Sequence, residues 1–465
     1  MSSMSLGHPT RATPQDLASL YAETARTPMC IGVVAILDGE RLEPPSVRAA
    51  VERRLPLVPR LRQRLLRPSP GLGRPVWVDD PGFDVANHVR VRRLPPAAGE
   101  PELLAACEEL DRTRLDHSRP LWELWLLPGL AGGRVGMLLR VHHVVADGVA
   151  GVGLLAALLD LEPDAPGPPA APWTPQPAPS AGALLADGLR RRGRALASVG
   201  ERLAHPLRAA RRLRAGLPAV RELLGEDPAP LSSLNRPIGT SRRLVVVRAR
   251  LDRVKAAAHA EGAKVNDVIL AGVAGGARAL LRSRGEPVEG LLLRAWVPVS
   301  LRPGGPTAEG NRVGGMAVPL PVGESRPAWL LRRIAGETAV RKRRPRGLFF
   351  SGVLAAPLVQ RTMVRLIDRQ RLVNLFVTDV PGPPVPLYLA GARLLEVFPV
   401  FPVQGNVTVG VGALSYDGQL NLGIVADADA CPDVQVFADG LRETLDRLTA
   451  AVPDRTLAAA SARGA

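Results

Sequence analysis

The run RVGMLLRVHHVVADGVAGVGLL, Arg134 to Leu155, sets two adjacent histidines at the end of an apolar stretch, in a chain that holds seven. Its first part reads as a β-strand, along which side chains alternate between faces. Val135, Met137, Leu139, Val141 and His143 then share one face, and Gly136, Leu138, Arg140 and His142 the other. The two imidazoles therefore point in opposite directions and have different jobs. His143 prolongs an apolar row, whereas His142 lies on the face that carries Arg140. Past a short gap, Asp147-Gly148 opens VAGVGLLAALLDL, a helical pattern that Asp147 can cap. Gly148 and Gly151 permit close approach of backbone there. A strand-to-helix turn of this kind brings unpaired N–H groups and the positive end of a helix dipole towards His143.

Imidazole suits proton abstraction, because a pKa of roughly 6.5 leaves the neutral form dominant at neutral pH. An alcohol attacking a thioester loses its proton as it bonds to carbon, and a placed base contributes about 10²–10⁴-fold. No covalent nucleophile stands out. There is no G-x-S-x-G elbow, and Cys30, Cys107 and Cys431 carry no nucleophile signature. Direct attack assisted by one base is the simpler mechanism. Taken singly, His143 could be a satisfied core histidine and Asp147 a plain helix cap. The combination, His-x-x-x-Asp-Gly preceded by a second histidine, favours chemistry.

Outward from this segment, 465 residues exceed one ordinary core, so two domains are expected. Residues 1–162 alternate helix and strand: Ser46 can cap a helix with Val47, Ala50, Val51 and Leu55 inward, and Pro101 begins another. PLWELWLL and RVGMLLRVHHVV form two strands across a Gly-rich turn. Residues 163–231 form a linker, first Pro-rich (PDAPGPPAAPWTPQPAP) and then a basic helical excursion from Leu184 to Leu224. A second mixed unit, 232–465, holds the strand RRLVVVRARL, a helix ended by Gly262 and a helix from Asn266 to about Ser283. Its hairpin turns at Asp417-Gly418, and its last helix carries Val434, Phe437, Leu441, Leu445 and Leu448 inward.

The net charge of +16 must attract something acidic: nucleic acid, a phosphorylated cofactor or an anionic lipid surface. Nucleic acid is the weakest of these, since aromatic residues make up only 3% of the chain and leave no stacking platform. The scattered cysteines form no metal-type pair and no disulfide framework, so no metal site is expected. The first residues lack a secretory core, and the longest apolar run, Gly347 to Gln360, falls short of the roughly 18 residues of a span. A cytoplasmic or peripheral protein is expected. Leu184–Leu224 and RKRRPRGLFFSGVLAAPLV (Arg341–Val359) are candidate lipid-facing segments.

HHVVADG, His142 to Gly148, has the HHxxxDG form of the chloramphenicol acetyltransferase-like superfamily. RPLWELWLLPGL, FDVANHVRVRRLP, VNDVILA, GNRVGGMAVPLP and VPGPPVPLYLAGARL, together spanning most of the chain, resemble the bacterial wax ester synthase/acyl-CoA:diacylglycerol acyltransferase family. That resemblance implies two acetyltransferase-like α/β (α+β) domains, each a mostly mixed sheet with helices, around a substrate tunnel. It implies acyl transfer from acyl-CoA, as co-substrate, to diacylglycerol or a long-chain alcohol, with no further cofactor. His143 would be the general base, Asp147 a structural support acting through an arginine partner, and His142 and Gly148 motif members. Asn266, in the family's Asn-Asp motif, would position the site or stabilise the oxyanion, unless it merely caps its helix. A membrane or lipid-droplet surface would be the partner. One departure stands out: the family commonly has Ser-Asn before VPGP, and this chain has Thr378-Asp379. The competing readings are a condensation-type or polyketide-associated acyltransferase with a carrier-bound donor, and a non-catalytic lipid-surface protein of the same fold.

Overall fold

The computed structural model describes residues 10–39, 42–69, 72–165, 173–204, 228–300, 313–343 and 357–451. Its first half contains α1 (Pro14–Ala22), β1 (Cys30–Leu37), α2 (Pro44–Arg54), β2 (Gln63–Leu66), β3 (Val76–Asp79) and β4 (Val89–Val91). These lead to α3 (Glu100–Asp111), β5 (Trp122–Pro128), β6 (Val135–His142) and α4 (Gly148–Leu158). After α5 (Ala181–Ala204) come β7 (Arg242–Arg250), α6 (Leu251–Ala260), α7 (Val265–Ser283), β8 (Leu292–Ser300), β9 (Val313–Pro321), α8 (Pro327–Arg343) and α9 (Pro357–Leu366). The chain closes with β10 (Leu375–Val380), β11 (Tyr388–Leu389), β12 (Ala392–Val400), β13 (Val409–Tyr416), β14 (Gln419–Asp427) and α10 (Val434–Ala450).

Two six-stranded sheets organise these elements, in the orders β11-β12-β1-β6-β5-β4 and β7-β14-β13-β10-β8-β9. Both mix parallel and antiparallel pairs, as the sequence led one to expect. β6 is buried at every position because both of its faces are covered. Val135, Met137, Leu139 and Val141 enter a core with Trp122, Leu154 and Leu155. On the opposite face α3 lies so close that a Cβ on Gly136 would sit 2.3 Å from Leu103 Cδ1. Arg140, 1% exposed, donates to the Leu110 and Thr113 carbonyls at the C-terminal end of α3, where a cation suits the helix dipole.

The sheets cut across the expected boundary at residue 231. β12, from the second half, pairs antiparallel with β1, from Gly32 opposite Val400 to Leu37 opposite Leu394. Val380, Leu387, Leu394, Val397, Leu414 and Tyr416 complete the first-half core. Periodicity shows that a segment is a strand but not which sheet takes it. The expected linker excursion is also more engaged than its charge suggested. Leu184 of α5 is buried with Val76 and Val78, and Asp187 meets Arg11 at 2.6 Å. Residues 205–224 of that basic segment lie outside the described residues, as do residues 344–356 of the second candidate lipid-facing segment.

Ser46 does not cap α2. The helix begins at Pro44 after Glu43, which leaves Ser46 inside the first turn, and proline needs no N–H partner there. The Asp417-Gly418 hairpin forms as read, with φ of 43° and 79° at its two turn residues.

Candidate active site

β6 ends at His142, so His143 stands in the turn rather than on the strand, half-buried. Its N–H donates to the Met29 carbonyl at 2.8 Å, which keeps it beside β1. Met29 is buried and has a φ of 52°, a left-handed conformation that costs a residue of this size free energy. Burial holds the His143 imidazole below its ordinary pKa, against the opposing pull of Asp147 and Asp16. The shift favours the neutral ring, the form that can accept a proton.

Asp147 is the N-cap of α4: its carboxylate, 2% exposed, accepts from Ala150 N–H at 2.9 Å. That leaves the N–H groups of Gly148 and Val149 without intrahelical acceptors, at the positive end of the dipole. The helix start touches both halves of the chain. A Cβ on Gly151 would come within 3.2 Å of Ile31 Cδ1 in β1, and one on Gly148 within 3.5 Å of Val380 Cγ2 in β10. The second figure is an ordinary contact, so close approach is not what requires glycine at 148.

His142, the last residue of β6, is fully buried. Val144 N–H donates to its Nδ1 at 3.0 Å, a bond that ties the first histidine to the turn carrying the second.

The chain matches the model of the wax ester synthase/diacylglycerol acyltransferase catalytic domain over residues 13–269 and that of the family's C-terminal domain over 309–449. It belongs to that family.

A probable diacylglycerol O-acyltransferase of Mycobacterium tuberculosis, tgs1, is 33% identical over 450 residues, covering 94% of this chain and 95% of the relative. The wax ester synthase/diacylglycerol acyltransferase of Marinobacter aquaeolei superposes with a TM-score of 0.67 at 25% identity, covering 94% of this chain and 98% of that one. The starter condensation domain of rhizomide synthetase gives a TM-score of 0.61 at 16% identity, over 97% and 96% of the two chains, a likeness of fold alone. The protein is thus an acyltransferase with the two-domain architecture of its family.

In this wax ester synthase/diacylglycerol acyltransferase family member, the other residues singled out from the sequence take varied places. Asn266 is the second residue of α7, and the capping role falls to Asp267, which accepts from Lys264 N–H at 2.8 Å and from Thr338 Oγ1 at 2.7 Å. Asp379 stands on β10 next to Val380, and burial raises its pKa to about 6 against the pull of Lys342. The three cysteines are buried thiols. Burial pushes Cys30 up to about 12 and Cys431 to about 11, and raises Cys107 as well, so none is a ready nucleophile.

Sequence reasoning missed Glu23 and His117. With His142 they place one ligand atom each within 4.8 Å of one another, the composition of a His₂–carboxylate metal centre. The tautomer argues against a metal. Nδ1 of His142 already accepts a hydrogen bond, so in the neutral ring Nε2 carries the proton and has no lone pair for a metal. No spacing in the sequence could have joined residues 23, 117 and 142; only the fold does.

Proposed function

We propose that the protein transfers a long-chain acyl group from acyl-CoA to the hydroxyl of diacylglycerol or of a long-chain alcohol, with His143 as general base. The acceptor oxygen attacks the thioester carbon and gives its proton to the imidazole. The C–S bond then breaks, and the departing thiolate takes that proton back, releasing CoA and the ester. The N–H groups of Gly148 and Val149 are suited to the charge that develops on the thioester oxygen. Asp147 keeps that helix start in place. Asn266 is assigned to positioning the substrates, and the substrate passage to the seam between the two sheets. The observation that carries this reading is the position of His143: a half-buried imidazole in the turn beside a capped helix start that touches β1 and β10.

His143→Ala should lower kcat by about 10²–10⁴-fold, the usual worth of a placed base. Turnover within a few-fold of wild type would remove His143 from that role. Labelled palmitoyl-CoA offered diacylglycerol and hexadecanol together would show which acceptor is used, and a carrier-bound acyl donor in a parallel reaction tests the condensation-type alternative. The arginine run of α5, Arg190 to Arg192, with Leu185 and Leu189 exposed just before it, supports docking on an anionic lipid surface at the cytoplasmic membrane face or a droplet. No helix among the described residues is long and apolar enough to cross a membrane. Sedimentation with acidic vesicles at low salt, and release at high salt, is the expected behaviour; absence of binding at low salt would discard the idea.

A further inference from the structure

The carboxylate of Glu23 has no role in the acyl transfer as described, and its placement is costly. Glu23 is the C-cap of α1, at the negative end of that helix's dipole, and its side chain is 4% exposed. One oxygen, Oε2, lies 2.8 Å from His117 Nε2. The other, Oε1, is buried, has no hydrogen-bond partner among the described residues, and faces His142 Nε2 at 3.8 Å. That nitrogen is also buried and without a hydrogen-bond partner among them. A protonated Nε2 and a carboxylate oxygen therefore face each other across a gap that a small shift or one water closes.

We propose that Glu23 is a positioning residue for the catalytic histidine, acting through His142. By favouring the proton on Nε2, the carboxylate leaves the Nδ1 lone pair to accept Val144 N–H, and that bond sets the turn on which His143 rides. With the opposite tautomer, an Nδ1–H would face the Val144 N–H and the turn would have to open. His117 brings its buried Nε2 to the other carboxylate oxygen, an ion-pair approach if the ring is protonated. Burial works against ionised Glu23, but the His117 contact and the nearby His142 and Arg114 outweigh it and keep the acid below its ordinary pKa.

The same short loop grips both histidines. Glu23 begins it and Met29 ends it, the latter accepting from His143 N–H. Between them, Thr24 and Thr27 exchange backbone hydrogen bonds in a tight turn, and Arg26 pairs with Asp368 at 2.8 Å in the second half. Glu23 thus couples the motif turn to a loop braced against both halves of the chain.

This inference rests on His143 as the base, and two measurements separate the two ideas. In the first, Glu23→Ala should lower kcat by about ten- to a hundredfold, the scale of a sub-ångström to ångström misplacement, with KM for palmitoyl-CoA within about twofold. Glu23→Gln, whose amide oxygen can still accept from Nε2–H, should recover most of the loss. Wild-type kcat in Glu23→Ala, equal losses in both variants, or a loss confined to KM would each overturn the proposal. The second does not depend on turnover: ¹⁵N-histidine spectra of the whole protein, with the His142 signals assigned by their absence in His142→Gln. A neutral ring protonated at Nε2 in wild type and in Glu23→Gln, and a mixture of tautomers in Glu23→Ala, supports the proposal; a ring protonated at Nδ1 in wild type, or an unmixed Nε2–H ring in Glu23→Ala, defeats it. If Glu23→Ala fails to fold, Glu23→Met, which fills similar space without an acceptor oxygen, takes its place in both measurements.

Discussion

As the proposed base, His143 has to be neutral, and burial lowers its pKa. The acid limb of kcat/KM should therefore fall below the roughly 6.5 of free imidazole. A pH–rate profile with a limb at or above that value would contradict the base assignment. Asp379 offers a second test, because its folded pKa of about 6 lies above the ordinary carboxylate value. The sign follows from proton uptake. Between the unfolded value near 4 and about 6 the folded protein binds more protons, so this group's contribution to stability grows as pH falls through that window and is unfavourable above it. Asp379→Asn, which restores the amide common in the family, should raise the urea midpoint at pH 8 and have a smaller effect at pH 5. An equal gain at both pH values would show that the charge is not the cause.

Helix packing in the second half depends on positions where no side chain fits. α7 and α10 cross at glycine: a Cβ on Gly276 would lie 2.5 Å from the Phe437 carbonyl oxygen, and one on Gly440 would lie 2.5 Å from Ala279 Cβ. Alanine is worth up to about 1 kcal/mol over glycine in a helix interior, yet Gly276→Ala should lower the melting temperature, because the opposing atom is backbone and cannot swing away. Gly336, in α8, has nothing within 4 Å of its would-be Cβ and is exposed, so Gly336→Ala should stabilise by about 0.5–1 kcal/mol. Calorimetry on the two variants checks the contrast, and equal shifts would refute the packing argument. At α4, Asp147→Ala should cost about 1 kcal/mol for the lost cap, with a larger proportional loss of kcat if the helix start serves the thioester oxygen as proposed.

Across the whole molecule, the exchanged strand makes the two halves interdependent. Without β12, β1 would be an unpaired edge, a surface prone to association. Residues 1–231 expressed alone should therefore aggregate, and co-expression with 232–465 should yield a soluble complex. Gel filtration distinguishes these outcomes, and a monomeric, folded 1–231 would contradict them. The buried Arg242–Asp427 pair at 3.1 Å adds a second tie, since Arg242 also donates to the Arg26 carbonyl in the loop that carries Glu23.

Much of the local structure around the candidate site was legible in the chain. The apolar alternation from Val135 announces β6 and Asp147 announces the cap, local patterns that backbone geometry imposes on any strand or helix, although the strand stops at His142 and its alternation does not reach His143. The hairpin at Asp417-Gly418 and the buried face of α10 were legible for the same reason. What the sequence could not supply is proximity between distant segments. That β12 closes the first sheet, that α5 docks Leu184 beside Val76, and that Glu23 and His117 meet His142 all depend on which surfaces exclude water together. Such choices belong to the folded chain, because burial acts between residues far apart in sequence, whereas the periods of strand and helix are written residue by residue.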